Sequence, residues 1–281
     1  MSFLDRIRAC NTYDLSRYRR FEVDGNHIGF VRQDMADAVR PYADVFVVSD
    51  RAVVLNPRLR TFEERTKIVD AVLRSIKAKG IMSPWRDEPY AVTPAFGARP
   101  VFAMERAAIP LFGIRAYGVH MSGYVRKSGR IFMWIGRRSR NKHTYPGLLD
   151  NIVAGGLPYG MTARDCLNKE CGEEAGIPEA WAMGAPSVGA ITYCAEMPEG
   201  LRPDVLFCYD LELPADFKPV CRDGELEGFM LVPIDEVAAI VRETEQFKFN
   251  CNLVIIDFLV RHGLIGPDEP DYVAIVQGLH Q

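Results

Sequence analysis

Three glutamates lie within five residues in the segment GGLPYGMTARDCLNKECGEEAGI, which runs from residue 155 to residue 177. On a helix, the spacing of Glu170, Glu173 and Glu174 places all three carboxylates on an arc of about 100°. Carboxylates this close repel one another unless they are solvated, protonated or bound to cations. Mg²⁺ prefers oxygen ligands and is commonly shared between carboxylates and substrate phosphates. The spacing therefore indicates a metal site, with a solvated acidic face as the alternative.

A helix over residues 163–175 would present these acids beside an apolar edge. Thr162 is the predicted N-cap, and Asp165 in the first turn complements the helix dipole. The apolar edge, which can pack on a sheet, consists of Leu167, Cys171 and Ala175. We therefore expect the acids to lie along the rim of a cleft.

The order of strand, Gly-Gly loop and acidic helix resembles the Nudix box, the family signature G-x5-E-x7-R-E-U-x-E-E-x-G-U, in which U is hydrophobic. The matching residues are Gly155, Glu170, Cys171, Glu173, Glu174, Gly176 and Ile177. Two positions depart, because Met161 replaces the first glutamate and Lys169 replaces the arginine. Lysine keeps the charge but lacks the planar fork that holds a carboxylate at two points. The glutamate missing at position 161 is thought to support loop geometry more than metal binding.

The resemblance implies a Nudix α-β-α sandwich that hydrolyses a diphosphate with the help of Mg²⁺ or Mn²⁺. It makes Glu170, Glu173 and Glu174 metal ligands. Glu170 and Glu174 are the predicted catalytic residues, with Glu170 the first candidate for the general base and a loop acid the second. Gly155 and Gly156 are expected to contact the substrate.

Two loops outside the box supply further candidate site residues. CRDGELEGF contains Glu225 and Glu227, close to where relatives often place an additional metal ligand, and Glu227 is predicted to bind metal. RRSRNKHTYPG contains Arg138 and Lys142, which are predicted to hold the diphosphate. An exposed acidic hairpin and a solvated basic loop are the respective alternatives.

The segment SPWRDEPY is a candidate for recognising the organic group of the substrate. Trp85 could stack on an aromatic heterocycle, and Arg86 and Glu88 could supply polar contacts. The alternative is a buried tryptophan that anchors a domain junction. His120 is expected to be a satisfied polar residue within a strand, not a ligand.

Longer segments resemble one Nudix subfamily, which is related to the Nudix part of fungal thiamine pyrophosphokinase. They include SPWRDEPY, RAAIPLFGIRAYGVH and FNCNLVIIDFLVRHGLIGPDEPDY. This resemblance covers nearly the whole chain and implies hydrolysis of thiamine diphosphate, or of its oxidised oxo and oxy analogues, to the monophosphate. The alternatives are a Nudix hydrolase of nucleotide or ADP-sugar diphosphates and a non-catalytic Nudix-fold binding module. RRSRNKHTYPGLLDN also resembles isopentenyl-diphosphate isomerase, but NIVAGGLPYG lacks the cysteine and histidine that the isomerase needs.

Composition narrows the class of protein. The formal net charge of −3 over 281 residues lacks the basic excess that is typical of nucleic-acid binding. Seven cysteines without a CxxC pair favour free thiols in a reducing compartment. The first residues lack an apolar signal core, and NLVIIDFLV is too short to span a bilayer. We expect a soluble, cytoplasmic enzyme for a small-molecule diphosphate, with no nucleic-acid or membrane partner. Homodimer formation stays open.

The order of predicted elements indicates an α+β protein with two domains. Residues 1–112 would form a smaller α+β domain for substrate recognition or dimer formation, with a long helix from Thr61 to Gly80. Residues 113–281 would form the Nudix domain. Its predicted strands are RAYGVHMSGYV, RIFMWIG, SVGAITYCAEM, DVLFCYDLEL and EGFMLVPI. The stretch from residue 89 to residue 114 is repeatedly interrupted by proline and glycine.

Overall fold

The computed structural model describes residues 1–82 and 84–281. Ser83, the first residue of the SPWRDEPY segment, lies outside the described residues. The elements of the first part of the chain are α1 (Phe3–Ala9), β1 (Tyr18–Val23), β2 (Asn26–Arg32), α2 (Gln33–Val39), β3 (Phe46–Val48), β4 (Ala52–Leu55), α3 (Phe62–Ala78), β5 (Pro89–Val92) and β6 (Phe102–Glu105). Strands β1 to β4 form a sheet in the order β2-β1-β4-β3, and β5 pairs with β6.

Helix α3 has the local signals that the sequence predicts. The Thr61 hydroxyl accepts a hydrogen bond from Glu64 N at 3.1 Å, and the Glu64 carboxylate accepts one from Arg60 N at 2.9 Å. These bonds satisfy amides at the helix start that have no partner within the helix. The buried side of the helix contacts the first sheet and the β5–β6 pair through Val69, Val72, Leu73 and Ile76. Gly80 follows the last turn with a φ of +75°.

The β5–β6 hairpin occupies the stretch that is rich in proline and glycine. Its strands contribute Tyr90, Val92, Phe102 and Met104 to the core of the first part of the chain. The breaking residues lie mainly in the loop between the strands and at the strand ends, where they cost no ladder hydrogen bonds. Residues 89–105 therefore form a regular pair of strands despite this composition.

A large mixed sheet follows, with two layers of helices around it. The remaining elements are β7 (Tyr117–Lys127), β8 (Arg130–Arg138), β9 (Leu149–Asn151), β10 (Val153–Gly156), α4 (Ala163–Glu174), α5 (Glu179–Gly184), β11 (Ser187–Met197), β12 (Gly200–Glu212), β13 (Leu226–Pro233), α6 (Ile234–Glu243), α7 (Cys251–Arg261) and α8 (Tyr272–Gly278). The strand order is β11-β12-β7-β8-β13, with β10 paired to β7 and β9 paired to β8. Strands β7 and β12 run parallel, and the other pairs are antiparallel.

The two faces of this sheet are covered by different helices. Side chains at alternate strand positions, such as Val119 and Met121, pack on one face against Leu167 of α4. On the other face, Met133 and Phe258 belong to a core that includes α6, α7 and α8. The structure is therefore an α-β-α sandwich with an additional α+β part, and the predicted fold class is confirmed.

Helix α1 packs on the second half of the chain. Phe3, Leu4 and Ile7 lie in the same core cluster as α6 and α7. Arg6 Nε donates to the carbonyl oxygen of Val241 at 2.9 Å. The first helix therefore contributes to the core of the sandwich, although it belongs to the first 112 residues. The predicted division at residues 112 and 113 itself stays a prediction.

Among the described residues, we find no helix that combines the length and the apolar character needed to cross a membrane. All seven cysteines are free.

The Ile7→Ala substitution tests the packing of α1. Ile7 is fully buried, so truncation should lower the free energy of unfolding by about 2–4 kcal/mol, through lost apolar burial and a cavity. Denaturant unfolding measures the change. Arg8→Ala, on the exposed side of the same helix, should change it by less than about 0.5 kcal/mol. Equal, small effects of both substitutions would show that α1 does not belong to this core.

Candidate active site

The acidic helix α4 begins at the predicted cap. The Thr162 hydroxyl accepts from Asp165 N at 3.1 Å and donates to the Asp165 carboxylate at 2.6 Å. Leu167, Cys171 and Ala175 are fully buried in the core between this helix and the sheet. That apolar edge fixes the rotation of the helix, which determines where its acidic side chains point.

Gly155 and Gly156 lie in strand β10, where a loop was predicted. They pair with Val119 and Gly118 of β7. Because neither glycine has a positive φ, both are required by close packing and not by backbone conformation. A Cβ at Gly155 would collide with the Glu170 side chain, and one at Gly156 would collide with the Tyr90 hydroxyl. The sequence pattern missed the strand because two adjacent glycines usually indicate a turn.

Glu174 is the most deeply buried acid of the box, with 4% of its surface exposed. Its carboxylate accepts a hydrogen bond from Ala154 N at 2.7 Å. Burial raises the pKa of Glu174 well above its ordinary value, the nearby Asp150, Glu170 and Glu225 raise it further, and the bond from Ala154 opposes them. A buried carboxylate among other acids is costly unless a cation compensates its charge.

Two acids of the loop before β13 complete the group around Glu174. Carboxylate oxygens of Glu174, Asp223 and Glu225 all lie within 4.8 Å of one another. Lys142 Nζ forms an ion pair with Glu225. Glu227, which was predicted to bind metal, is not in this group, because its carboxylate instead accepts from Arg140 N at 3.3 Å. Residues two apart along a strand point to the same side, so the sequence pattern does not distinguish Glu225 from Glu227, and only their contacts in the folded structure do.

Asp223 was missed by the sequence reasoning. It lies beside Gly224, whose φ of +77° forms a tight turn that places Asp223 next to Glu225. The Asp223 carboxylate accepts from Glu225 N at 2.8 Å. An Asp-Gly pair before a strand is a recognisable turn signal. This pair was the feature of the sequence that could have identified Asp223.

Glu170 and Glu173 share the amine of Lys169, at 3.1 Å and 2.8 Å respectively. Burial raises the pKa of Glu170, and Lys169 partly opposes this effect. Glu173 is the most exposed of the three box glutamates and contacts Lys169 from the solvent side. The lysine that replaces the arginine of the signature therefore still holds both acids through single contacts.

The donor set fits a hard divalent cation. Glu174, Asp223 and Glu225 present carboxylate oxygens, the ligands that Mg²⁺ and Mn²⁺ prefer, and the Glu170 carboxylate lies near enough to raise the pKa of Glu174. Burial is the largest cause of the raised pKa of both Glu170 and Glu174, and a bound cation would favour their charged forms. A second group, His120, Asp150 and Cys251, is also close together, but Arg138 and Lys248 already neutralise Asp150.

Arg138 is buried and is paired with Asp150 instead of the box glutamates. Its guanidinium donates to the Asp150 carboxylate at 2.6 Å and to the carbonyl oxygens of Thr144 and Tyr145 at 2.9 Å and 3.1 Å. These contacts occupy the guanidinium, and the predicted binding of a diphosphate by Arg138 stays a prediction. The sequence could not show these contacts, because it does not reveal which side of β8 is covered.

Trp85 and Arg86 also lie apart from the box glycines. Trp85 is half-buried, with the guanidinium of Arg74 4.3 Å from its ring centroid. It lines a separate cleft of about 390 Å³. The Arg86 side chain is exposed, and its backbone amide donates to Glu105 at 2.7 Å. The geometry therefore favours an anchoring position for Trp85 over contact with the acids.

A cavity of about 110 Å³ adjoins Gly155 and Gly156. Its lining includes Tyr90 and Arg106 from the first part of the chain, together with Arg202, Lys248 and His120 from the sandwich. Burial lowers the pKa of His120 to about 4, so its ring is neutral at neutral pH. The three cations were missed by the sequence reasoning, because they are far apart along the chain and only folding collects them.

Two Arabidopsis thaliana proteins, "Nudix hydrolase 20, chloroplastic" and "Nudix hydrolase 24, chloroplastic", are each 44% identical to this chain. Both similarities cover 99% of the chain and 77% of the relative. The chain belongs to the Nudix hydrolase family. Residues 117–252 match the NUDIX domain model, and residues 2–116 match the model of a domain of unknown function, DUF4743. This Nudix protein is therefore a hydrolase of diphosphate substrates.

Among solved structures, the Nudix domain of Shewanella oneidensis NrtR in complex with ADP-ribose is similar to this Nudix protein. It has 12% identity and a TM-score of 0.42, over 55% of this chain and 91% of that one.

The predicted cytoplasmic location is contradicted. The names of the two Arabidopsis relatives place those proteins in the chloroplast. The prediction rested on the absence of an apolar signal core, a feature that distinguishes secreted proteins and says little about organelles inside the cell.

Comparing Glu225→Gln with Glu227→Gln tests the assignment of the loop acid. Glu225 lies with Glu174, whereas Glu227 contacts Arg140, so only the first substitution removes a carboxylate from the candidate metal group. We expect a loss of at least about tenfold in kcat/KM for Glu225→Gln, since a charge-stabilising group is removed, and a loss below about twofold for Glu227→Gln. Steady-state hydrolysis of one diphosphate at fixed Mg²⁺ measures both. The reverse order would restore the original assignment of Glu227.

Asp150→Asn tests the buried ion pairs below the site. Burial alone would raise the pKa of Asp150, but Lys248 and Arg138 lower it to about 2. Because the folded-state pKa lies below the ordinary value of 3.8, the stabilisation is fully present above that value and is lost as pH falls towards 2. Removing the charge leaves buried cations unpaired and should cost about 3 kcal/mol at neutral pH.

Denaturant unfolding at several pH values measures this effect. The difference between wild type and Asp150→Asn should be constant near neutral pH and narrow below about pH 4. The exposed Asp216→Asn is the control. A difference that does not change down to the acid limit would contradict the ion-pair explanation.

Proposed function

We propose that this protein hydrolyses thiamine diphosphate, or its oxidised oxo and oxy analogues, to the monophosphate and phosphate. The observation that carries the proposal is the carboxylate group of Glu174, Asp223 and Glu225, which the hydrogen bond from Ala154 N to Glu174 connects to a cavity lined by cations. The choice of thiamine rests on the resemblance of SPWRDEPY, RAAIPLFGIRAYGVH and the last third of the chain to the subfamily related to fungal thiamine pyrophosphokinase. The two Arabidopsis relatives match this chain over nearly its whole length, which supports the same arrangement of both parts of the chain in all three proteins.

The metal site of the proposal comprises Glu170, Glu173 and Glu174 with the loop acids Asp223 and Glu225. A bound Mg²⁺ or Mn²⁺ neutralises phosphate oxygens and lowers the pKa of a bound water. Glu170 is the first candidate for the general base. Its pKa is raised by burial, which brings a carboxylate closer to the range in which it accepts a proton efficiently near neutral pH. Glu225 is the second candidate.

The cations of the cavity are proposed to hold the diphosphate. Arg106, Arg202 and Lys248 line the same space as Gly155 and Gly156, and arginine binds phosphate oxygens at two points. Their positive charges favour the binding of anionic phosphate groups. This replaces the role that the sequence suggested for Arg138, whose guanidinium is occupied by Asp150 and two carbonyl oxygens.

The first part of the chain is proposed to take part in substrate recognition. Tyr90 and Arg106, which lie within residues 1–112, reach the box glycines. Arg106 is held by an ion pair of 2.6 Å with Glu88. The segment SPWRDEPY thus contributes through Glu88 and Tyr90, not through stacking of Trp85. Formation of a homodimer stays a prediction.

A panel of diphosphates with Mg²⁺ tests the proposal. The panel comprises thiamine diphosphate, oxothiamine diphosphate, ADP-ribose and a nucleoside diphosphate, with monophosphate and phosphate as readouts. The proposal expects kcat/KM for a thiamine-type compound to exceed the others by about tenfold or more. A preference for ADP-ribose or the nucleotide would overturn the choice of thiamine and favour the alternative Nudix activity. The absence of hydrolysis of every compound would favour the binding module.

Glu174→Gln should lower kcat by about a hundredfold or more, because the substitution removes a carboxylate from a site that stabilises charge. The melting temperature should stay the same or rise, since glutamine can still accept the bond from Ala154 N and carries no buried charge. The turnover and the melting temperature are measured on the full chain, by hydrolysis and by thermal unfolding.

Removal of divalent ions with a chelator should abolish turnover of the wild type, and added Mg²⁺ should restore it. Turnover that survives exhaustive chelation would refute the metal site.

A further inference from the structure

A second cavity of about 300 Å³ lies next to the candidate active site. Aromatic and apolar side chains dominate its lining, which includes Tyr90, Phe96, Pro158, Tyr159 and Met161. Phe96 has 60% and Tyr159 43% of its surface exposed. Two aromatic side chains that open into one cavity offer an apolar surface that water covers poorly.

The aromatic side of this cavity is an ordered platform. The Phe96 ring lies 5.0 Å from Tyr117 and 4.8 Å from Phe207, and the Tyr117 and Phe207 rings are parallel within 5°. The loop that carries Phe96 is held by the Thr93 hydroxyl, which donates to Ala95 O at 2.8 Å. Because neighbouring rings and a hydrogen-bonded loop fix Phe96, its exposure is a built feature of the surface.

The aromatic cavity continues directly from the cation-lined one. Tyr90, Ala116 and Tyr117 line both. The chain passes from Gly155 in the first cavity to Leu157 in the second, where Leu157 N donates to Tyr117 O at 2.8 Å. Two residues of extended chain span about 7 Å. A molecule of modest size could therefore place its phosphates near Gly155 and a ring beside Leu157.

The second cavity also explains the departure of Met161 from the Nudix box. Met161 lies at its wall, half-buried, where the signature has a glutamate. A carboxylate here would lose hydration against aromatic and apolar groups, which is unfavourable. The methionine thioether packs well against ring edges. The substitution thus converts one wall of the cavity from charged to apolar.

We propose that this second cavity binds the planar heteroaromatic ring of the substrate, with Phe96 as the residue that stacks on it. The inference rests on the proposed function in one respect, namely that the diphosphate carries an aromatic ring. Stacking explains why an exposed phenylalanine is held in a fixed loop beside a phosphate site. It also assigns Met161 a role in specificity.

Phe96→Ala tests the proposal on the full-length protein with Mg²⁺. The variant should raise KM for thiamine diphosphate about tenfold and leave kcat nearly unchanged, as expected for loss of one stacking contact. Isopentenyl diphosphate, which has no ring, is measured as a substrate or competitive inhibitor, and its KM or inhibition constant should not change. Phe96→Tyr should keep the wild-type KM, because tyrosine still provides a ring for stacking. Trp181→Ala is the matched control, because Trp181 is an exposed aromatic residue that packs on Phe217. It should leave the KM or inhibition constant of both compounds unchanged.

Met161→Glu provides an independent variant. It should raise KM for the aromatic substrate selectively, whereas Met161→Leu should not. Equal effects of Phe96→Ala on both compounds, or no effect on either, would overturn the inference. If the wild type prefers ADP-ribose, the proposed function fails, and the same comparison made with ADP-ribose decides the inference separately. If the wild type binds isopentenyl diphosphate but no aromatic diphosphate, both fail.

Discussion

The close approach of helix α4 to strand β10 is the constraint on which the site depends. The Glu170 side chain packs so closely on Gly155 that a Cβ at residue 155 would collide with it. The Glu174 carboxylate accepts a hydrogen bond from the backbone amide of Ala154, the residue before Gly155 in the strand. Both carboxylates are thereby withdrawn from water beside a strand edge. Their raised pKa values express the free energy that this arrangement costs. A divalent cation bound here would offset this cost, because it would neutralise the charges of the buried carboxylates.

The rest of the sandwich maintains this approach. Leu167 and Cys171 anchor α4 on Val119 and Met121, so the helix cannot rotate its acids into solvent without exposing its apolar edge. On the opposite face, α1 joins α6 and α7 and ties the beginning of the chain to the core of the sandwich. Below the acids, Asp150 is balanced by buried cations. The site is thus stabilised by the apolar packing of α4 on the sheet and by the ion pairs of Asp150.

The first part of the chain reaches the site through the β5–β6 hairpin and its neighbours. The Tyr90 hydroxyl occupies the space that a side chain at Gly156 would need, and Arg106 approaches the Tyr90 ring with its guanidinium 5.6 Å from the ring centroid. The same hairpin contains the loop that carries Phe96. One small structural unit therefore borders both the cation-lined cavity and the aromatic one.

The sequence alone determined the α+β class, helix α3, helix α4 and the spacing of the three glutamates on α4, because caps, apolar periodicity and short spacings are local signals. It could not decide that Arg138 is buried, that Glu225 and not Glu227 lies beside Glu174, or that Gly155 and Gly156 form a strand. Those outcomes depend on which strand face is covered and on contacts between residues far apart in the chain. The cavity cations Arg106, Arg202 and Lys248 show the same limit, since only the tertiary structure brings their charges together.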